Sequence, residues 1–153
     1  MIRIGQKAPD VALDSTLGKK LGLKHYRGKN VLVAFFCFCF SPVCTLEFLD
    51  LSRNYHKFKR MNIEILGVST DSTWAQRAWS RLLKLPFPLL SDGDKKLSRK
   101  FGVLNKHGFA NRSYFFIVKN GIVKYAFVEG TPLQRRTSVQ LLREIKKVVK
   151  DGV

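Results

Sequence analysis

VLVAFFCFCFSPVCTLEF, residues 31–48, joins a continuous apolar run to the start of a helix. Residues 31–36 are apolar without alternation, which is typical of a strand buried on both faces, as in a parallel sheet. Ser41 is a good N-cap residue, and Pro42 is favoured at the first helical position. The apolar face of the predicted helix, which runs to about Arg60, consists of Phe48, Leu51, Tyr55 and Phe58. The stretch therefore predicts a central strand followed directly by a helix.

Further elements follow downstream with the same periodicities. In chain order they are a strand at 63–69, a helix capped by residues 71–73, a short amphipathic segment at 94–101, strands at 114–118 and 122–128, and a closing helix. Asn120-Gly121 is a strong signal for a hairpin between the last two strands. Thr137 and Gln140 form a capping box ahead of the closing helix.

The order of these core elements is strand, helix, strand, helix, strand, strand, helix. Right-handed crossovers make the first two strands parallel, and the hairpin adds an antiparallel pair. We therefore predict an α/β protein with a thioredoxin fold, in which a mixed central sheet is flanked by helices. Residues 11–13 and 20–23 predict an N-terminal β-hairpin extension. Repeats and linkers are absent from the sequence, so we expect one domain spanning residues 1–153.

Composition bears on location and partners. Residues 1–10 lack the apolar run of a secretory signal, and no window approaches the roughly eighteen apolar residues of a membrane span, so we expect a cytoplasmic protein with no membrane partner.

The net charge of +17 allows two interpretations, attraction to nucleic acid or a lysine-rich solvated surface. Since the basic residues are dispersed and not interleaved with aromatics, we expect only weak, non-specific nucleic-acid contact.

The three cysteines, Cys37, Cys39 and Cys44, lie within eight residues. An extracellular disulfide framework would spread an even number along the chain, and the histidines show no ligand spacing for zinc, so we expect no metal and no cofactor. Clustered thiols indicate reactive sulfur instead. Cys44 falls in the first turn of the predicted helix, where backbone N–H groups and the helix dipole favour a thiolate.

Several segments resemble the peroxiredoxin family, including its alkyl hydroperoxide reductase and bacterioferritin-comigratory groups. In order they are residues 8–10, 28–36, 40–47, 66–71, 87–92 and 112–117. The family signature is a proline, three residues, a threonine or serine, two residues and the peroxide-reducing cysteine. The resemblance therefore implies a thiol-dependent peroxidase that reduces hydrogen peroxide and organic hydroperoxides through a cysteine sulfenic acid.

Carried over by position, the signature makes Cys44 the attacking sulfur and places Ser41 at the hydroxyl position. The resemblance also makes Arg112 the arginine that stabilises the thiolate and the departing oxygen. Glu47 has two interpretations, as a residue that orients Arg112 or as an acid favoured by the helix dipole. Cys37 stands where the family has proline, either as a second redox-active sulfur or as a small buried substitute.

Recycling of the sulfenic acid requires a thiol. Many family members carry a resolving cysteine five residues further along the helix, where this chain has Leu49, and no cysteine follows Cys44. We expect an external thiol reductant, such as thioredoxin, glutaredoxin or a small thiol, with Cys39 or Cys37 as the alternative resolving residue. The resemblance is also compatible with a homodimer.

Two other functions remain open from the sequence. A thioredoxin-like disulfide oxidoreductase would share the fold, but its Cys-x-x-Cys motif is missing, because Cys39 and Cys44 are five residues apart. A catalytically impaired binding protein would explain the departure at Cys37 and the high charge.

Overall fold

The computed structural model describes residues 1–150, so the last three residues of the predicted domain lie outside the described part. The strands are β1 (Leu13–Ser15), β2 (Lys20–Leu21), β3 (Asn30–Phe35), β4 (Ile63–Ser69), β5 (Leu89–Ser91), β6 (Ser113–Ile117) and β7 (Val123–Val128). The α-helices are α1 (Pro42–Arg53), α2 (Tyr55–Arg60), α3 (Thr73–Leu83), α4 (Lys96–Phe101) and α5 (Ser138–Lys150), and a short 3-10 helix spans Leu23–Tyr26.

The strands form one mixed sheet in the order β2-β1-β5-β4-β3-β6-β7. β3 pairs in parallel with β4, with Val33 opposite Leu66, and β4 pairs in parallel with β5. On the other side β3 pairs antiparallel with β6, with Phe35 opposite Ser113. This is the arrangement that the sequence predicts for the core. The predicted N-terminal hairpin is also present as β1 and β2, which join the sheet through β5.

Side chains of β3 alternate between two cores, as the pleat of a strand requires. Leu32, Ala34 and Phe36, at the strand's end, enter the core beneath α1, α3 and α5, while the side chains in between enter the core on the opposite face. In the first core the ring of Phe36 lies 4.6 Å from that of Phe48 and 5.1 Å from that of Trp79. The continuous apolar run therefore reflects a strand covered on both faces.

Two elements differ from the sequence-based expectation. The helix predicted to run from Ser41 to about Arg60 is two helices, α1 and α2, separated at Asn54. The Asn54 side chain donates to the carbonyl of Asp50 at 2.9 Å and to its carboxylate at 3.1 Å, so it competes for the groups that would continue the helix. β5 was not predicted as a strand, because it has only three residues and follows Pro86 and Pro88.

Helix lengths and hydropathy bear on membrane insertion. Within residues 1–150, none of the helices combines the length and the apolar character needed to cross a bilayer.

Candidate active site

The start of α1 holds Cys44. Ser41 is the N-cap residue, and its Oγ accepts the backbone N–H of Cys44 at 3.4 Å. Pro42 occupies the first helical position and Cys44 the third. The side chain of Cys44 is fully buried. The sulfur therefore lies where the backbone N–H groups of the first turn and the positive end of the helix dipole act on it.

Arg112 reaches the same sulfur from the neighbouring strand. It directly precedes β6, and the pairing of β6 with β3 brings it beside the loop that leads into α1. Its Nη1 donates to Cys44 Sγ at 3.1 Å. Its other donors are fixed by the backbone, with Nε bonded to the carbonyl of Gln134 and Nη2 to that of Pro132, both at 2.9 Å. The guanidinium is buried and held in one orientation.

Glu47 lies one turn along α1 and is buried against this arginine. Its Oε1 accepts from Arg112 Nη1 at 3.1 Å, and its Oε2 accepts from the hydroxyl of Tyr114. Burial raises the pKa of Glu47, against the lowering by Arg112 and by the Tyr114 hydroxyl. Glu47 thus contacts Arg112 directly, and its role in orienting that arginine stays a prediction. The alternative, an acid favoured by the helix dipole, requires a place in the first turn, whereas Glu47 lies beyond that turn and is buried.

The surroundings of Cys44 lower its pKa to about 5. The largest cause is a hydrogen bond from the thiol of Cys37, which opposes the raising effect of burial. Arg112, the Ser41 hydroxyl and the backbone of Phe38 lower it further. Each of these groups favours the thiolate over the thiol, so Cys44 is ionised at neutral pH.

The other two cysteines differ in their partners. Cys37 is buried beside Cys44, and the hydrogen bond to Cys44 is the largest cause that raises the pKa of Cys37. Cys39 is associated with Asp71, whose carboxylate accepts the Cys39 backbone N–H at 2.9 Å. Burial, followed by the charge of Asp71 and a hydrogen bond to it, raises the pKa of Cys39. All three thiols are free.

A cavity of about 180 Å³ opens over this site. Its lining is largely apolar and consists of Cys37, Phe38, Ser41, Pro42, Val43, Phe109, Arg112, Pro132 and Leu133. A larger cavity, of about 560 Å³, lies elsewhere, between the β1–β2 hairpin and α3, and no cysteine lines it. Because sulfur chemistry needs access to a cysteine, the smaller cavity is the candidate active site. No group of three or more His, Cys, Asp and Glu side chains in the described part of the chain is arranged to hold a metal ion.

The structure brings together five of the six predicted site residues, namely Cys44, Ser41, Arg112, Glu47 and Cys37. The sixth, Cys39, is hydrogen-bonded to Asp71 instead. Sequence reasoning missed Tyr114, which bonds Glu47, and the two carbonyls that hold Arg112. A signal for Tyr114 existed, because residues two apart on a strand share a face, and Arg112 and Tyr114 are two apart.

Comparison with known proteins places the chain in a family. The sequence profile of the AhpC/TSA family matches residues 4–126. A peroxiredoxin of Thermoplasma volcanium is 34% identical over 154 residues, which cover 96% of this chain and 73% of that protein. Peroxiredoxin 2 of Thermoplasma acidophilum is 37% identical over 150 residues, which cover 94% of this chain and 74% of the relative.

Solved structures agree. AhpC of Mycobacterium tuberculosis superimposes with a TM-score of 0.91 at 28% identity, over 100% of this chain and 96% of that one. The reduced 2-Cys peroxiredoxin of Plasmodium vivax gives a TM-score of 0.88 at 28% identity, over 97% of each chain. The predicted thioredoxin fold and the predicted family are thereby confirmed. The chain belongs to the AhpC/TSA family of peroxiredoxins and is a thiol-dependent peroxidase.

Proposed function

We propose that Cys44 is the sulfur that attacks the peroxide, with Ser41 and Arg112 as the residues that assist it. The observation that carries the proposal is the 3.1 Å hydrogen bond from Arg112 Nη1 to a cysteine sulfur in the first turn of a helix. That contact supplies a thiolate and a fixed positive charge at the same point. A thiolate is the nucleophilic form of cysteine.

The reaction is an in-line displacement. The Cys44 thiolate attacks one peroxide oxygen, an S–O bond forms as the O–O bond breaks, and the second oxygen leaves with the electron pair and takes up a proton. Cys44 becomes a sulfenic acid and the peroxide becomes water or an alcohol. Arg112 faces the charge that moves from sulfur to the leaving oxygen, and its carbonyl partners hold it there before the reaction.

The cavity supports both classes of substrate. Arg112 and the Ser41 hydroxyl present polar groups to a peroxide O–O unit, and Ser41 Oγ can accept the proton of a hydroperoxide. The apolar side chains of Phe38, Phe109 and Leu133 form a wall that suits an alkyl group. Hydrogen peroxide and small organic hydroperoxides are therefore the proposed substrates.

An external thiol returns the oxidised enzyme to its reduced state in this proposal, and thioredoxin, glutaredoxin or a small thiol would serve. Three free cysteines and a need for thiols suit a reducing compartment, so we place the protein in the cytoplasm.

We also propose that residues 1–153 act as one domain and that the net charge of +17 gives weak, salt-sensitive contact with nucleic acid.

A homodimer is the proposed assembly. Phe38 and Phe40, in the loop before α1, are 44% and 54% exposed, and Trp74, at the start of α3, is 79% exposed. Large apolar side chains exposed in this way are common in protein interfaces. Sedimentation velocity tests the assembly, since a single species with the mass of one chain would contradict it.

The test of the peroxidase proposal is stopped-flow measurement of hydrogen peroxide consumption by the reduced protein. We expect Cys44→Ser to abolish consumption, because serine has no thiolate, and Cys39→Ser to consume the first equivalent. The two variants make the same chemical change five residues apart, so each controls for the other. Peroxide consumption by Cys44→Ser at the wild-type rate would show that another residue attacks. Insulin reduction without peroxide consumption would favour a disulfide oxidoreductase.

A further inference from the structure

We infer that Cys37 is the thiol that resolves oxidised Cys44, through a disulfide formed within one chain across the floor of the active-site cavity. The inference rests on the proposed attack of Cys44 on the peroxide and deepens it, because it names the first thiol that meets the sulfenic acid. An external reductant then acts on the Cys37–Cys44 disulfide rather than on the sulfenic acid.

The common surroundings of the two cysteines carry the inference. Both belong to one buried core cluster, and Arg112, which donates to Cys44 Sγ at 3.1 Å, lines the same cavity as Cys37. The turn between β3 and α1 folds back to bring them together, and both are at least 95% buried, with exposures of 5% and 0%.

Cys37 also borders the space where the peroxide reacts. It lines the same cavity as Ser41 and Arg112. A sulfenic acid formed at Cys44 would therefore have the Cys37 sulfur as an immediate neighbour.

Cys39 is the less suitable candidate. Its backbone N–H donates to the Asp71 carboxylate at 2.9 Å, and burial, followed by the charge of Asp71, raises the pKa of its thiol. The Asp71 carboxylate also accepts the hydroxyl of Ser69 at 2.7 Å, which holds it in place beside Cys39. Cys37 borders the active-site cavity, whereas Cys39 is not part of its lining.

The pairing makes Cys37 respond to the state of Cys44. While Cys44 is a thiolate, its hydrogen bond with Cys37 is the largest cause that raises the pKa of Cys37, followed by burial and then by the charge of Cys44. A sulfenic acid is neutral, so both contributions from Cys44 weaken after the peroxide reacts. Burial still raises the pKa of Cys37, and Arg112 still lowers it. The thiolate of Cys37 is therefore less strongly disfavoured after Cys44 has been oxidised.

The step balances without a further oxidant. The Cys37 sulfur attacks the Cys44 sulfur, an S–S bond forms and the S–O bond breaks. The hydroxyl leaves with the electron pair and combines with the Cys37 proton as water. Two thiols, or one dithiol, then reduce the disulfide by exchange and restore both cysteines.

The test adds one equivalent of hydrogen peroxide to the reduced protein. Intact mass is then measured under non-reducing conditions on three samples, of which one is untreated, one is alkylated at its free thiols and one is treated with dimedone. For the wild type we expect a loss of about two mass units before alkylation, no dimedone adduct and one alkylated thiol, that of Cys39. Cys39→Ala should show the same loss with no alkylated thiol. Cys37→Ala and Cys37→Pro, the second of which carries the family residue, should instead gain about sixteen mass units and trap dimedone.

Three outcomes would overturn the inference while leaving the peroxidase proposal intact. They are a wild-type sulfenic acid that traps dimedone, a mass loss that disappears in Cys39→Ala, and a covalent dimer in place of the intramolecular disulfide. Failure of the peroxidase proposal itself appears differently, as consumption of peroxide by Cys44→Ser. The first-equivalent measurement on Cys44→Ser is therefore made beside the mass experiment.

Discussion

Glu47 and Arg112 form a buried ion pair beside Cys44, with Oε1 and Nη1 3.1 Å apart and side-chain exposures of 0% and 1%. The same Nη1 atom contacts Cys44 Sγ, so the carboxylate and the sulfur compete for one donor. A buried ion pair is not by itself strong evidence of stability, because both charges lose their hydration. Its value here is positional, since the pair fixes the guanidinium where the sulfur can use it.

Replacing Glu47 by glutamine tests that positioning. Glu47→Gln keeps an oxygen that can accept from Arg112 and removes a negative charge near Cys44. Since a like charge disfavours a thiolate, the pKa of Cys44 should fall or hold its value. The peroxide rate should fall less than in Glu47→Ala, where Arg112 loses a partner. Thiolate ultraviolet absorbance against pH measures the first effect, and a rise in the Cys44 pKa in Glu47→Gln would contradict the arrangement.

Removing Arg112 should affect chemistry and stability together. In Arg112→Ala the pKa of Cys44 should rise, and the rate of peroxide reduction should fall about a hundredfold or more, as for loss of a preorganised donor. Stability should also fall by about 3–5 kcal/mol, because Glu47 is left buried without its positive partner and keeps only the hydroxyl of Tyr114.

The double variant Arg112→Ala/Glu47→Gln separates the two effects. It removes the unpaired charge, so we expect urea denaturation to show recovered stability while stopped-flow shows no recovery of rate. A variant that regains the rate along with the stability would mean that Arg112 acts only on folding.

The low pKa of Cys44 predicts a pH profile. Since the folded-state pKa is lowered to about 5, the thiolate fraction and the peroxide rate should rise as pH increases through about 5 and change little above it. Cys37→Ala removes the largest lowering cause, so its profile should move to higher pH. Cys39→Ala is the control, and its profile should stay close to that of the wild type. Identical profiles for the wild type and Cys37→Ala would show that Cys37 does not support the thiolate.

Much of the fold follows from local patterns. The apolar run of β3, the cap at Ser41 and Pro42, and the capping box of α5 each depend on neighbouring residues, and the structure contains all three. The backbone N–H of Thr137 bonds Gln140 Oε1 at 2.8 Å, and that of Gln140 bonds Thr137 Oγ1 at 3.2 Å. The sequence does not predict β5, because a strand of three residues is too short to show a periodic pattern. Its position in the sheet depends on pairing with β4 and β1.

The site was predictable only in part. The site residues at the start of α1 could be predicted from the family pattern, because they lie in one continuous segment of the sequence. The contact of Tyr114 with Glu47 joins residues 67 positions apart, and the carbonyls that hold Arg112 belong to a loop 20 and 22 positions away. Such contacts depend on how strands and loops pack in three dimensions. Which of Cys37 and Cys39 borders the active-site cavity likewise depends on the turn between β3 and α1.

Close packing between the sheet and α1 gives a stability prediction. A Cβ added at Gly67 on β4 would lie 2.5 Å from Leu89 Cδ2 and 2.8 Å from Phe48 Cε2. Both side chains are fully buried, and Phe48 lies on α1 one turn beyond Cys44, so neither can move without disturbing the core. Gly67→Ala should therefore destabilise the protein by about 1–3 kcal/mol, the usual cost of overpacking a core.

Gly93→Ala is the matched control for this prediction, because its added Cβ would meet only Ser91 Oγ at 4.0 Å. Urea denaturation of both variants measures the effect, with an unchanged denaturant dependence expected if only the folded state is affected. We expect the midpoint of Gly67→Ala to fall clearly below that of Gly93→Ala. Equal midpoints would mean that α1 can shift away from the sheet at no cost. In that case the position of Cys44 would be set by the Arg112 network rather than by the packing beneath it.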